Sequence, residues 1–222
     1  IGFMIPSRFK YKLFGRLKGR KKIHNQFFHD LKKYQFNLEK DINKSKYNVL
    51  DIGSGSGENA LFLSDIYPKS KIITCELFDD GNINLAKQIK KNKITNICLF
   101  QGNVLEFLDH AEPLLTFDEI WILFPDPWPK IRHHKRRLIN NFFLGNIHKY
   151  LKHSGKLMIA TDSQSYIQSI IKNIFLIQNT YTWNNQKVSE WDYGNLELPK
   201  TKFYKKAMKL NRNSMFFELL KI

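Results

Sequence analysis

Three acidic side chains stand where the chain turns sharply. Asp51 opens the run Asp51-Ile52-Gly53-Ser54-Gly55-Ser56-Gly57, Glu76 closes the apolar run that starts at Lys71, and Asp126 lies between Pro125 and Pro127. Glycines at the alternate positions 53, 55 and 57 let the main chain turn tightly and let a ligand come close to the backbone. A dinucleotide-binding loop would want glycine three residues after Gly55, where this chain has Glu58, so the pyrophosphate reading weakens. An acid at the start of the loop repels a phosphate and suits an ammonium or a sulfonium, which points to S-adenosylmethionine. Glu76, about two dozen residues further on, can accept both ribose hydroxyls, and an amide in Gln101-Gly102-Asn103 can meet an adenine edge. Two prolines fix the φ angles around Asp126 and hold its carboxylate in one place.

Placing these groups together needs a sheet that ends on one side. From Tyr47 onward, short apolar runs alternate with helical stretches, the signature of parallel strands with crossover helices. Strands are expected at 48–52, 71–76, 97–101, 117–124 and 156–161, and a closing hairpin with an antiparallel member at 180–183 and 214–220. Helices are expected at 23–38, 59–67, 82–91 and 138–151 from the spacing of their apolar residues. The sum is an α/β fold, a seven-stranded, mostly parallel, doubly wound sheet with helices on both faces. Residues 1–46 read as a basic N-terminal arm and helix, and 47–222 as the domain that carries the chemistry.

The chain has 222 residues, 36 Lys and Arg against 20 Asp and Glu, and a formal charge of +16, which makes a polyanion the first partner to consider. Ser7 to Lys22 alone carries eight basic residues and no acid, a solvated tail or an arm that lies on phosphates. With 42% hydrophobic and 14% aromatic residues, the chain is not intrinsically disordered. Cys75 and Cys98 lie inside apolar runs without metal-ligand spacing and read as reduced core residues. No membrane span or signal-peptide core is evident, so a cytoplasmic protein is expected. The chain opens at Ile1, which fits a start at Met4 or a piece of something longer.

The run Phe124-Pro125-Asp126-Pro127-Trp128-Pro129-Lys130, followed by Arg132-His133-His134-Lys135-Arg136-Arg137, resembles the signature of tRNA (guanine-N7)-methyltransferases. Gly15-Arg16, Gly19-Arg20, Ala160-Thr161-Asp162 and Thr201-Lys202-Phe203 extend the resemblance across nearly the whole chain. It implies the class I S-adenosylmethionine-dependent methyltransferase fold, which is Rossmann-like, and methyl transfer from S-adenosylmethionine to N7 of guanine 46 in the tRNA variable loop. It also implies that Asp51, Gly53, Gly55, Gly57, Glu76, Asn103 and Asp126 meet the donor, with Asp126 as the catalytic residue. Lys130, Asp162, Thr201, Lys202, Phe203 and Tyr204 correspond to substrate contacts. The expected partner is tRNA, with no membrane and no metal, and monomer and homodimer stay equally open. Two positions depart from the family: Asn103 stands for its usual Asp, and Tyr204 for its usual Glu. Asn retains an acceptor for the adenine amine, whereas a phenol does not replace a carboxylate facing guanine.

The chemistry suits these residues. Guanine N7 is already a lone-pair nucleophile, so the work is positioning and charge management. A fixed carboxylate stabilises the positive charge that methylation places on the purine, and Asp126 or Asp162 can also accept from guanine N1–H and its amine. Exposing the base costs a few kcal/mol of unstacking, which Trp128 or Trp191 can offset by stacking, while Trp183 reads as core. His133-His134 lacks the further ligands a metal needs. Phosphate contacts are expected from the arm and the 130–137 cluster. Three other readings remain at this point: a methyltransferase acting on an amide or exocyclic amine, an RNA-binding module without catalysis, and an NAD-dependent dehydrogenase.

Overall fold

The structure, a computed structural model, describes Tyr11 and residues 31–41, 45–111 and 115–222. Seven strands form one sheet: β1 (Asn48–Ile52), β2 (Lys71–Glu76), β3 (Ile97–Gln101), β4 (Phe117–Leu123), β5 (Leu151–Thr161), β6 (Tyr181–Trp183) and β7 (Met215–Lys221). Their order is β3-β2-β1-β4-β5-β7-β6. The first five run parallel, and β7 lies antiparallel between β5 and β6. The crossovers hold α1 (Glu58–Ile66), α2 (Asp79–Lys91), α3 (Val104–Ala111), α4 (Asn141–His148) and α5 (Gln164–Leu176), and α6 (Lys202–Lys209) precedes β7.

Helices cover both faces because each strand is apolar on both. Successive side chains of a strand point to opposite faces. Along β1, Val49 therefore enters one core with Leu63 of α1 and Leu85 of α2, while Leu50 enters the other with Phe107 of α3, Phe143 of α4 and Ile170 of α5. Ile72 and Ile73 of β2 divide in the same way. Such double-sided burial is why these strands read as continuous apolar runs. The order of strands reverses between β1 and β4, the place where a crevice opens at the carboxyl ends of a doubly wound sheet.

Expected and observed elements differ at several boundaries and in three helices. The helix expected at 138–151 is confined to Asn141–His148, since the Asn140 side chain accepts from Phe143 N–H and starts it. Leu151 already belongs to β5, which begins five residues before the expected Lys156 and pairs with Phe117 ahead of an irregularity in β4. The helix expected at 23–38 breaks at Gln35, which bridges to Leu99 of β3, and Phe36 N–H donates to the Leu99 carbonyl at 2.8 Å. Its residues 23–30, and the basic arm before them apart from Tyr11, lie outside the described residues. Helices α3, α5 and α6 were not expected. Cys75 and Cys98 are free and buried.

Candidate active site

Asp51 is fully inside the protein, near the end of β1 and on the face shared with α1 and α2. Its Oδ1 accepts from Asn59 Nδ2 at 2.9 Å, and its Oδ2 has no partner among the described residues. Burial pushes its carboxyl up to about 7, reinforced by the nearby charges of Glu76 and Glu58. The chain then turns through Gly53, Gly55 and Gly57 at φ of 72°, 56° and 90°, values that other residues rarely adopt. A side chain at Gly57 would also run into Leu85 of α2.

Glu76 ends β2 and faces this loop. Its two carboxylate oxygens accept from Gly55 N–H and Phe78 N–H, both at 2.8 Å, so its orientation is set by the main chain on either side. Gly81 in the first turn of α2 brings that helix against the Gly55 carbonyl, where a Cβ would come within 2.3 Å of the oxygen. Asn103 follows β3, and its Oδ1 caps α3 by accepting from Leu105 N–H at 2.8 Å. The side chain of Gln101 is occupied by Asp79, at 2.7 Å.

Ser54 Oγ, Asp80 Oδ1 and Asn82 Oδ1, all bordering the loop, are buried without a hydrogen-bond partner, like Asp51 Oδ2. Buried polar atoms are nearly always satisfied. Four unsatisfied ones around an open glycine turn fit a polar ligand with cationic and hydroxyl groups, and S-adenosylmethionine offers both.

The second loop leaves β4, the direct neighbour of β1, so both loops start side by side. Phe124 and Trp128 adopt positive φ, 53° and 44°, on either side of Asp126. Such backbone is sparsely populated for bulky residues and persists only where the surroundings enforce it. One clamp is Phe124 N–H on the Ala160 carbonyl, 2.7 Å. Another is Arg137. It is buried, donates through Nε to the Pro127 carbonyl at 2.9 Å, and reaches the carbonyl and hydroxyl of Ser165 on α5 with its other two nitrogens. Its guanidinium lies 4.8 Å from the Tyr166 ring centroid. Arg137 was expected to meet phosphate with its basic neighbours; burial corrects that. Lys130, Arg132 and Lys135 are exposed, and Arg136 lies 5.0 Å over the Trp128 ring.

Asp126 makes no hydrogen bond or ion pair among the described residues. Its side chain keeps a solvent-exposed edge, yet enough protein surrounds it that desolvation raises its pKa above the usual carboxylate value. Asp162, just beyond β5, pairs with Arg212 at 3.2 Å.

The segment before β7 closes over the glycine loop. Thr201 Oγ1 caps α6 through Tyr204 N–H, and the exposed Phe203 ring lies within 3.9 Å of the position a Gly55 Cβ would take. The Tyr204 ring packs 4.7 Å from Tyr193 and 6.2 Å from Phe124, and its hydroxyl lies against Gly194. Tyr204 is thus part of an aromatic wall. Lys202 points to solvent.

The structure therefore brings Asp51, the three glycines, Glu76 and Phe203 into one crevice, with Asp126 and Asp162 on the loops after the next two strands. Asn103 stands at the sheet edge, Lys130 at the far end of the proline loop. Three contributors were not expected: Asn59, which orients Asp51, Gly81 and Tyr193. Gly81 had a sequence signal, since glycine inside a helix costs about 1 kcal/mol and asks for a packing reason. Trp183 and Trp191 pack on each other at 5.5 Å, away from the loop. Among the described residues, no three His, Cys, Asp or Glu could hold a metal, and no helix is long and apolar enough to cross a membrane.

Comparison with known proteins agrees with this geometry. Residues 45–217 match the family described as "Putative methyltransferase". A tRNA (guanine-N(7)-)-methyltransferase of Wolbachia pipientis is 32% identical over 213 residues, covering 94% of this chain and 92% of that protein. One from Nitrosospira multiformis is 35% identical over 131 residues, 59% of this chain and 57% of its own length, so the chain matches only part of that relative. An rRNA methylase of Streptococcus thermophilus shares the fold at a TM-score of 0.53 and 16% identity, covering 92% of this chain and 99% of its own. The sheet order and these neighbours make this the class I S-adenosylmethionine-dependent methyltransferase fold, and the chain belongs to the tRNA (guanine-N7)-methyltransferase family.

Proposed function

We propose that this protein methylates N7 of guanine 46 in the variable loop of tRNA, with S-adenosylmethionine as donor, in the cytoplasm. The observation that carries the reading is the juxtaposition of two loops on neighbouring strands: a glycine turn beside the buried Asp51, whose Oδ2 has no partner among the described residues, and the clamped Asp126 loop followed by exposed Lys130, Arg132 and Lys135. S-adenosylmethionine supplies an electrophilic methyl on a sulfonium. Asp51 Oδ2 would take its cationic end, Glu76 its ribose hydroxyls through the lone pairs left beside its two main-chain contacts, and Asn103 its adenine edge.

Guanine N7 needs no base. The residues of this chain hold the ring in line with the methyl, exclude water and meet the developing purine cation with a carboxylate that is already oriented. Asp126 does the last of these. Because no described residue pairs with it, its charge is available to the substrate. Phe203, exposed beside the glycine loop, offers the flat, apolar surface that an unstacked base requires, while Tyr193, Tyr204 and Phe124 pack together behind it in the core. Lys130, Asp162, Thr201, Lys202 and Tyr204 are the further substrate contacts in this reading, supported by the family likeness of their motifs. In this reading residues 1–46 are the RNA-facing N-terminal segment and 47–222 the methyltransferase domain.

The test is Asp126→Asn, which keeps size and loop. We expect kcat to fall about 10²- to 10³-fold with tRNA affinity changed less than about threefold. Wild-type activity should also fall on acidification through the raised Asp126 pKa, and that acid limb should vanish in Asp126→Asn. An Asp126→Asn enzyme of undiminished kcat would remove the residue from the chemistry.

A further inference from the structure

A second charged feature lies at the opposite end of the sheet. Residues 32–41 cross the amino-terminal ends of β2 and β3, tied to the edge strand by Gln35 and Phe36 at Leu99. Between this crossing segment and the end of α2 runs a groove of about 720 Å³. Lys32, Lys33, Lys40, Lys71, Lys90 and Lys93 line it, against one carboxylate, Asp41. Asp41 is already paired with Lys71 at 3.0 Å. The floor is Phe36, Ile97 and Cys98, all buried. Lys32, Lys33, Lys40 and Lys93 are exposed, so their charges face the opening.

The α2 C-terminus also points here, and its negative dipole end is offset by Lys90 and Lys91. Among the described lining residues, six lysines face a single carboxylate, an excess of positive charge around one concavity. A row of phosphates relieves it. The groove is too far from the donor crevice to serve it: Lys71 to Glu76 spans β2, five residues at about 3.3 Å, or roughly 16 Å.

We propose that this groove binds the phosphodiester backbone of the RNA substrate, at a part of the tRNA remote from the base being methylated. The proposal rests on the tRNA reading above and adds a second contact region, on the sheet edge nearest the N-terminal segment. Because phosphates bind by charge and counterion release, the contribution is independent of sequence and sensitive to salt.

Two triple variants with equal change of charge test it. One carries Lys33→Glu, Lys40→Glu and Lys93→Glu in the groove; the other carries Lys149→Glu, Lys172→Glu and Lys187→Glu, exposed elsewhere on the molecule. Binding of an unmodified tRNA transcript is followed by fluorescence anisotropy between about 50 and 200 mM salt. The groove variant should bind at least about tenfold more weakly, with the slope of log K against log salt shallower by about two, while the other triple changes affinity less than about threefold. Equal losses in both triples, or none in the groove variant, would overturn the proposal. Inorganic phosphate at about 10 mM should displace tRNA no more than chloride of equal ionic strength; greater displacement would reassign the groove to free phosphate. Donor binding by calorimetry should be equal in all three proteins, which reports an intact fold. Methyl transfer by the wild-type protein is read separately. Its absence alongside groove-dependent RNA binding would strike the reaction and leave the groove standing.

Discussion

Asp51 carries an energetic signature of its role. A carboxyl at about 7 in the folded chain and near 4 when unfolded holds its proton longer in the folded state. Stability from this group is therefore complete below about pH 4, declines as pH rises toward 7 and stays low above it, a difference of the order of a few kcal/mol. Asp51→Asn keeps an oxygen for Asn59 Nδ2 and removes the titration. Urea unfolding of the ligand-free variant should show a gain over wild type at pH 8 that vanishes at pH 4, together with lost donor affinity. A gain independent of pH would mean the carboxyl is not held in the environment described. Asn103 and Tyr204 show that the same residue type can be placed by the backbone first: one caps α3, the other completes an aromatic wall. Neither role could be read from composition or from family likeness.

Among the elements, the loop from Phe124 to Lys130 is held from behind by α5. Arg137 is a buried cation facing only neutral oxygens, and it joins the Pro127 carbonyl to Ser165. Lysine cannot span three acceptors in a fork. We expect Arg137→Lys to lower kcat about tenfold or more while leaving the donor Kd and the salt slope of tRNA binding unchanged. A shallower salt slope would instead return Arg137 to the RNA-facing cluster. The central strands were legible because both faces are apolar and the runs stop at Gly, Asp or Glu. β1, β2 and β3 agree with expectation to the residue. The start of β5 was not, since Lys152, His153 and Ser154 are polar and Lys152 is held by Asp118 at 2.8 Å. Helix α6 carries Phe203, Tyr204, Ala207 and Met208 at helical spacing, but it is only about two turns long and buries Ala207 alone, so its sequence does not set it apart from a loop before β7. The acidic groups of the candidate site were legible from strand ends and spacing, and Gly81 carried only the general signal of a glycine in a helix; the supports Asn59 and Arg137 were not legible, because residue type alone does not name the partner each one holds.

At the scale of the whole molecule, the formal charge is +16, and the described residues show two separate basic groups. Lys130, Arg132 and Lys135 are exposed on the segment that follows Asp126, and the lysine groove lies at the other end of the sheet. The central claim is narrower than RNA binding: one nitrogen of one base receives the methyl. The direct measurement is transfer of labelled methyl from S-adenosylmethionine to three forms of one unmodified tRNA, carrying guanine, adenine or 7-deazaguanine at position 46. The account predicts label with guanine alone, at a site cleaved as N7-methylguanine. 7-Deazaguanine keeps the N1–H and amine edge and lacks only the accepting nitrogen. Label on the 7-deaza RNA, or equal label with adenine, would contradict it.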